Sequence, residues 1–221
     1  MKPNLAVAIL LMILTVQSAK SAPTFVSGTV SSVTNIAFPI NSTATGIVTL
    51  MVNIDPTGQF QNVAVVRDIP SLTSVASSAV RVWSFTPAML DGQPVASIVP
   101  ISVVFNPFNP AGVGYTSLSI PLSVAPPGPS SGYAPAQITS ASFATYPVAS
   151  LTSGAVVLDV TVGSAGGIAK IHTIRDVKPL TAQAVKAVKT WMFSPATLQG
   201  APIASHVVIA FVFPSPGRGS F

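Results

Sequence analysis

Side chains able to do chemistry are few in this 221-residue chain: two His, five Asp, no Glu and no Cys. His172 and His206 could hold a metal or pass a proton, with an Asp to orient them. Without Cys, disulfides, thiolate metal sites and cysteine nucleophiles are excluded together. Ser is abundant, so a Ser/His/Asp set can be assembled on paper. No strand-to-helix nucleophile elbow or other positioned nucleophile accompanies it. Catalytic, cofactor-binding and metal-binding residues are therefore expected to number none, and the chain is not expected to be an enzyme.

The two His gain meaning from what stands 108 residues before them. Residues 46–105 align with residues 154–213 at that offset without a gap, with 25 identities in 60 positions. Opposite His172 and His206 stand Ala64 and Ile98, so neither His belongs to the shared pattern. They read as two strand residues facing solvent. The residues that do persist are Arg67/Arg175, Asp68/Asp176, Trp83/Trp191, Phe85/Phe193, Pro87/Pro195 and Gly92/Gly200. The chain is a tandem duplication, and function has to be argued for each copy.

Each copy carries the same run of elements. In residues 46–55, Val48, Leu50, Val52 and Ile54 alternate with Thr49, Met51 and Asn53, the period of a half-buried strand. Pro56-Thr57-Gly58 supplies turn chemistry, so a hairpin into residues 60–67 should follow. Along that returning strand the shared apolar positions, Val63/Ile171 and Val66/Ile174, are three apart; a β-bulge would reconcile them. The period then lengthens: Leu72, Ala76, Ala79, Val80 and Trp83 form one stripe of an amphipathic helix, matched by Leu180, Ala184, Ala187, Val188 and Trp191. Thr73 and Thr181 are the expected N-caps, and the helix must stop before Pro87 and Pro195. The Trp in that stripe predicts core packing rather than ligand stacking. The Arg-Asp pairs are read as ending the second strand and placing an acid near the positive end of the helix dipole. Residues 95–105 and 203–213 form a third strand, and Pro100 places it at a sheet edge, at least in the first copy.

Composition sets the surroundings. Apolar residues make up 49% and charged residues 7%, so the surface must rest on Ser, Thr, Asn and Gln. Lys2 followed by the apolar run 5–16 and a small-residue stretch reads as a signal peptide over 1–21 cleaved after Ser21; an uncleaved inner-membrane anchor is the alternative. The remaining chain divides into units 25–105 and 133–213, a Pro/Gly/Ser-rich linker 106–132 and a tail 214–221. Residues 146–213 carry five basic residues against two Asp, net +3, whereas residues 38–106 carry two Arg against three Asp, net −1. Five scattered cations lack the clustering and exposed aromatics of nucleic-acid binding, so no nucleic-acid partner is expected.

An aromatic-Pro lead-in, G-x-V-x-L-x-V, a turn Gly, an R/D pair, L-T-x-x-A-x-x-A-V and W-x-F-x-P-A-x-x-x-G-x-P, closed by V-x-I-x-x-x-F, resemble the TonB C-terminal domain. Both copies show the whole pattern. The resemblance implies an α+β fold: two tandem small domains, each a β-hairpin, a helix and a third strand forming an antiparallel sheet with the helix on one face. It also implies a periplasmic or envelope-associated protein. Its partners would be proteins, TonB-dependent outer-membrane receptors or other envelope proteins, whose extended segments add as a strand to an exposed edge. The expected partner-binding edge is Val207, Val208, Ile209, Ala210, Phe211 and Val212, because Pro100 removes a donor from the first copy. Alternatively the two edges pair with each other, or with a second copy, and the chain is an envelope structural or assembly protein without energy transduction. The spanning helix and long Pro-rich arm of energy-coupling members are not recognised in this sequence.

Overall fold

The computed structural model describes residues 23–108, 118–119, 132–147 and 150–215. The expected signal peptide and most of the expected linker and tail lie outside the described residues. Each copy folds as predicted into a hairpin, a helix and a third strand. In the first copy these are β1 (Gly46–Ile54), β2 (Phe60–Arg67), α1 (Pro70–Val80) and β3 (Ser97–Phe105). In the second they are β4 (Gly154–Val162), β5 (Ile168–Arg175), α2 (Leu180–Val188) and β6 (Ser205–Phe213). The fold class is α+β, with two tandem small units.

The units do not stand apart. β3 and β6 pair with each other in parallel, giving one six-stranded sheet in the order β5-β4-β6-β3-β1-β2. Val208 lies opposite Ile101 and Val212 opposite Phe105, one residue away from pairing equivalent positions. The offset has a geometric cause. A two-fold axis along the strands turns each unit's sheet over, whereas residues level with each other in a pleated sheet must project to the same face. An odd offset satisfies both conditions. The helices therefore lie on opposite faces. Leu72, Ala76 and Val80 of α1 pack with Val48, Leu50, Ile101 and Val103, and also with Val157, Val208 and Ala210 of the other unit. Leu180, Ala184 and Val188 of α2 pack with Val156, Leu158, Ile209 and Phe211.

The repeated W-x-F segment locks the hairpin turn to the core. Trp83 and Trp191 are buried, as their place in the apolar stripe predicts, and so are Phe85 and Phe193. Gly58 has φ +82°, and a Cβ there would stand 2.6 Å from the Phe85 carbonyl oxygen; at Gly166 the distance is 2.7 Å to Phe193. Only glycine fits where turn and segment meet. Further along, Asp91-Gly92 and Gln199-Gly200 take positive φ in both residues, the two-residue turn that closes a tight hairpin between 88–90 and 93–95, and between 196–198 and 201–203. The lead-ins complete each unit: Thr29–Ser32 pairs with Ser84–Thr86, and Gln137–Ala141 with Met192–Ser194.

Two local expectations are corrected. Thr73 and Thr181 are not N-caps, because α1 begins at Pro70 and α2 at Leu180. Each hydroxyl instead reaches back: Thr73 Oγ1 accepts from the Ile69 N–H at 2.9 Å, and Thr181 Oγ1 from the Val177 N–H at 2.9 Å. The third strand is not at an edge either, since β3 and β6 are the two central strands.

Candidate functional site

Val207, Val208, Ile209, Ala210, Phe211 and Val212 sit where sequence reasoning placed a strand, but both flanks of that strand are occupied. On one side β6 pairs antiparallel with β4 along its whole length, and on the other it pairs with β3. All six residues are buried. The strand-edge assignment is therefore corrected, and the alternative of edges pairing with each other describes the chain. Pro100 stands opposite Met51 in the antiparallel ladder with β1 and one residue before the parallel ladder, which begins at Ile101, so it takes no donor from the seam between the units. A signal for this was present in the sequence. Residues 207–213 are apolar at both parities, the pattern of a strand covered on both faces.

The sheet's outermost strands are β2 and β5. Each carries the bulges that the mismatched parity required. Register shifts leave Gln61 and Val66 extra in β2, and Ala169 and Ile174 extra in β5. Bulges twist an edge and shorten the stretch a regular partner strand can use. In β5 that stretch is Lys170 to Thr173, paired without interruption to Thr161 through Leu158. Between β5 and α2 runs an open groove of about 660 Å³, with Ile168, Ile171 and Val185 along it and Lys170 and Lys189 beside them.

The charged and polar candidates separate into three groups. His206 is not a bare solvent-facing residue: its Nδ1 lies 2.9 Å from Asp159 Oδ1, and its backbone N–H donates to Ser27 Oγ at 2.9 Å. Asp159 stands in register with His172, which is exposed, so the two His share a strand neighbourhood without sharing a ligand. Among the described residues no group of three or more His, Asp, Glu or Cys is placed to hold a metal. The Arg-Asp pairs serve the scaffold in the second copy, where Arg175 donates to the Ala155 carbonyl and Asp176 accepts from the Thr181 hydroxyl.

The third group gathers where the lead-ins cross. Phe25 and Tyr133, equivalent at offset 108, meet with ring centroids 4.6 Å apart. Tyr133 is buried, and its removal from water pushes the phenol up to about 12 from 10.0. The Ser205 and Ser27 hydroxyls lower it in part, although neither completes a hydrogen bond of full geometry. Sequence reasoning missed this meeting, whose only trace was that both aromatics hold the same place before their copies.

A small cavity of about 30 Å³, room for one water, lies beside Thr49, Pro100 and Ser102 under the second lead-in. No helix among the described residues is long and apolar enough to cross a membrane.

Comparison with known proteins adds one finding. The family model described as Gram-negative bacterial TonB protein C-terminal matches residues 40–107 and again 148–214, together more than half of the chain. No curated protein and no solved structure matches.

Proposed function

The chain belongs to the TonB C-terminal family, and from that premise we propose that it is a protein-binding module of the cell envelope in which two family units act as one closed body. Its partners are extended segments of outer-membrane transporters, taken up by strand addition in support of transmembrane transport. The observation that carries this reading is the double match to the family, with each unit retaining hairpin, helix and third strand. Because β3 and β6 occupy each other, a partner strand adds at the outer strands of the sheet rather than at its centre. The test is capture from a Gram-negative envelope extract by the mature chain. TonB-dependent receptors among the retained proteins support the reading, and their absence counts against it.

The paired third strands also favour a second reading: an envelope structural or assembly protein that reuses the fold without energy transduction. Recovery of other envelope proteins, with no receptor among them, would select it.

A further inference from the structure

We propose that the groove between β5 and α2 seats a short acidic protein segment, which adds as a strand to the free side of β5. This deepens the protein-binding reading above and rests on it. Three features of the second unit converge there. β5 is an outermost strand, so its outer backbone groups offer a ladder. Ile168, Ile171 and Val185 are half-buried and pack against the second unit's core, giving the groove an apolar floor. Lys170 and Lys189 flank it, and Lys186 lies one helical turn before Lys189.

No acid of the same unit answers those lysines. The second unit's two Asp are engaged elsewhere, Asp159 with His206 and Asp176 with the Thr181 hydroxyl. Among the described residues the His206–Asp159 contact is the one ion pair. The groove is therefore apolar within, cationic at its rim and open along a strand edge, complementary to an extended segment that carries both apolar and acidic residues on the one face it turns to α2. The bulges at Ala169 and Ile174 bracket Lys170 to Thr173, so the regular ladder extends over about four residues of partner.

The first unit shows what an occupied version looks like. Phe60 replaces Ile168 and Arg81 replaces Lys189, and the Arg81 guanidinium lies 5.5 Å from the centre of the Phe60 ring. Asn62 and Ser78 replace Lys170 and Lys186, and Asn62 accepts from Asn53 Nδ2 at 2.6 Å. There the cation covers its own strand, and the rim has lost two of its three charges.

The test is titration of the mature chain with a fluorescent ten-residue peptide that carries Val and Glu in turn at every second position with Ser between them, alongside a counterpart with Lys in place of Glu. The Glu peptide should bind about tenfold more tightly at low salt, and the difference should shrink as salt is raised. K186Q/K189Q should remove most of that preference, and methylation of the peptide's backbone nitrogens should abolish binding. Amide shifts in the protein should fall on residues 168–175 and on α2. Equal binding of the two peptides overturns the proposal, as do shifts centred on β2. Binding of phosphatidylglycerol vesicles through the same lysines, with neither peptide bound, also overturns it. Envelope capture by the K186Q/K189Q chain separates the two levels: receptors retained undiminished sink the groove and leave the protein-binding reading standing, whereas no receptor captured by the unmodified chain sinks the reading itself.

Discussion

The first and second units place Trp83 and Trp191, Phe85 and Phe193, and Gly58 and Gly166 alike, yet they differ at nearly every position that looks away from its own helix, Val104 and Val212 excepted. On the outward face of the first unit stand Met51, Ile98, Pro100 and Ser102; at the same places in the second stand Asp159, His206, Val208 and Ala210. The pleat explains the division. Inward positions must fill a core whose shape both copies share, so they are held nearly fixed. Outward positions of β3 and β6 meet the opposite unit's territory, and an odd register gives the two faces different neighbours. Val208 and Ala210 pack into the α1 core, whereas Pro100 and Ser102 line the small cavity under the second lead-in. Duplication supplied one scaffold twice, and the seam between the copies made their outward residues unequal.

The sharpest way to break this comparison is to make the copies alike at the seam. Val208→Pro puts into β6 the residue that β3 carries just outside the parallel ladder, but at a position paired on both flanks, with Asp159 and with Ile101. It should cost about 3 kcal/mol or more. Pro100→Val should change stability by no more than about 1 kcal/mol. Denaturant titration followed in single-Trp variants checks both. Trp83 and Trp191 should report one coincident transition that moves as a whole in Val208→Pro, because α1 and α2 share the central strands. Two separated transitions would mean that the units unfold independently.

A second test concerns the crossing of the lead-ins, where the copies differ by one hydroxyl. The folded state raises the Tyr133 phenol from 10.0 to about 12, so it favours the neutral form. That contribution is complete below pH 10 and is lost as the pH rises through 12, amounting to about 2 to 3 kcal/mol. Tyr133→Phe, which copies Phe25, should flatten the loss of stability between pH 10 and 12 in thermal melts. An unchanged alkaline profile would show that the phenol ionises equally well in the folded chain.

The smallest effect is expected at Asp159 and His206, whose side chains are 10% and 26% exposed. Replacement by the first unit's residues, Asp159→Met with His206→Ile, should be near neutral together. A double-mutant cycle should give a coupling of about 1 kcal/mol, as for other partly exposed pairs.

Much of each unit was legible in the sequence because its causes are local. Alternation at Val48, Leu50, Val52 and Ile54 gave β1, and the lengthened period from Leu72 gave α1, although the helix ends at Val80, short of Trp83. The three-residue spacing of Val63 and Val66 implied a bulge that β2 indeed carries. What lies between the units was not legible in the same way. Pro100 argued for an edge because the rule about missing donors says nothing of where a ladder starts. The hydroxyls of Thr73 and Thr181 pointed to caps because a back-bond from the first helical turn uses the same residue type as a cap. The β5 groove depended on which lysines a fold brings beside an open strand. Residues 170, 186 and 189 acquire a common address only after α2 packs across the sheet.

The seam between β3 and β6 has a mechanical consequence. The two strands run side by side in the same direction, so a tug along β5, carried across β4, strains the rungs between β6 and β3 together in shear. A tug across the sheet would instead open them one after another. A tether that engages the outer strand lengthwise thus meets the stiff direction of the molecule, and one that peels it sideways meets the weak one.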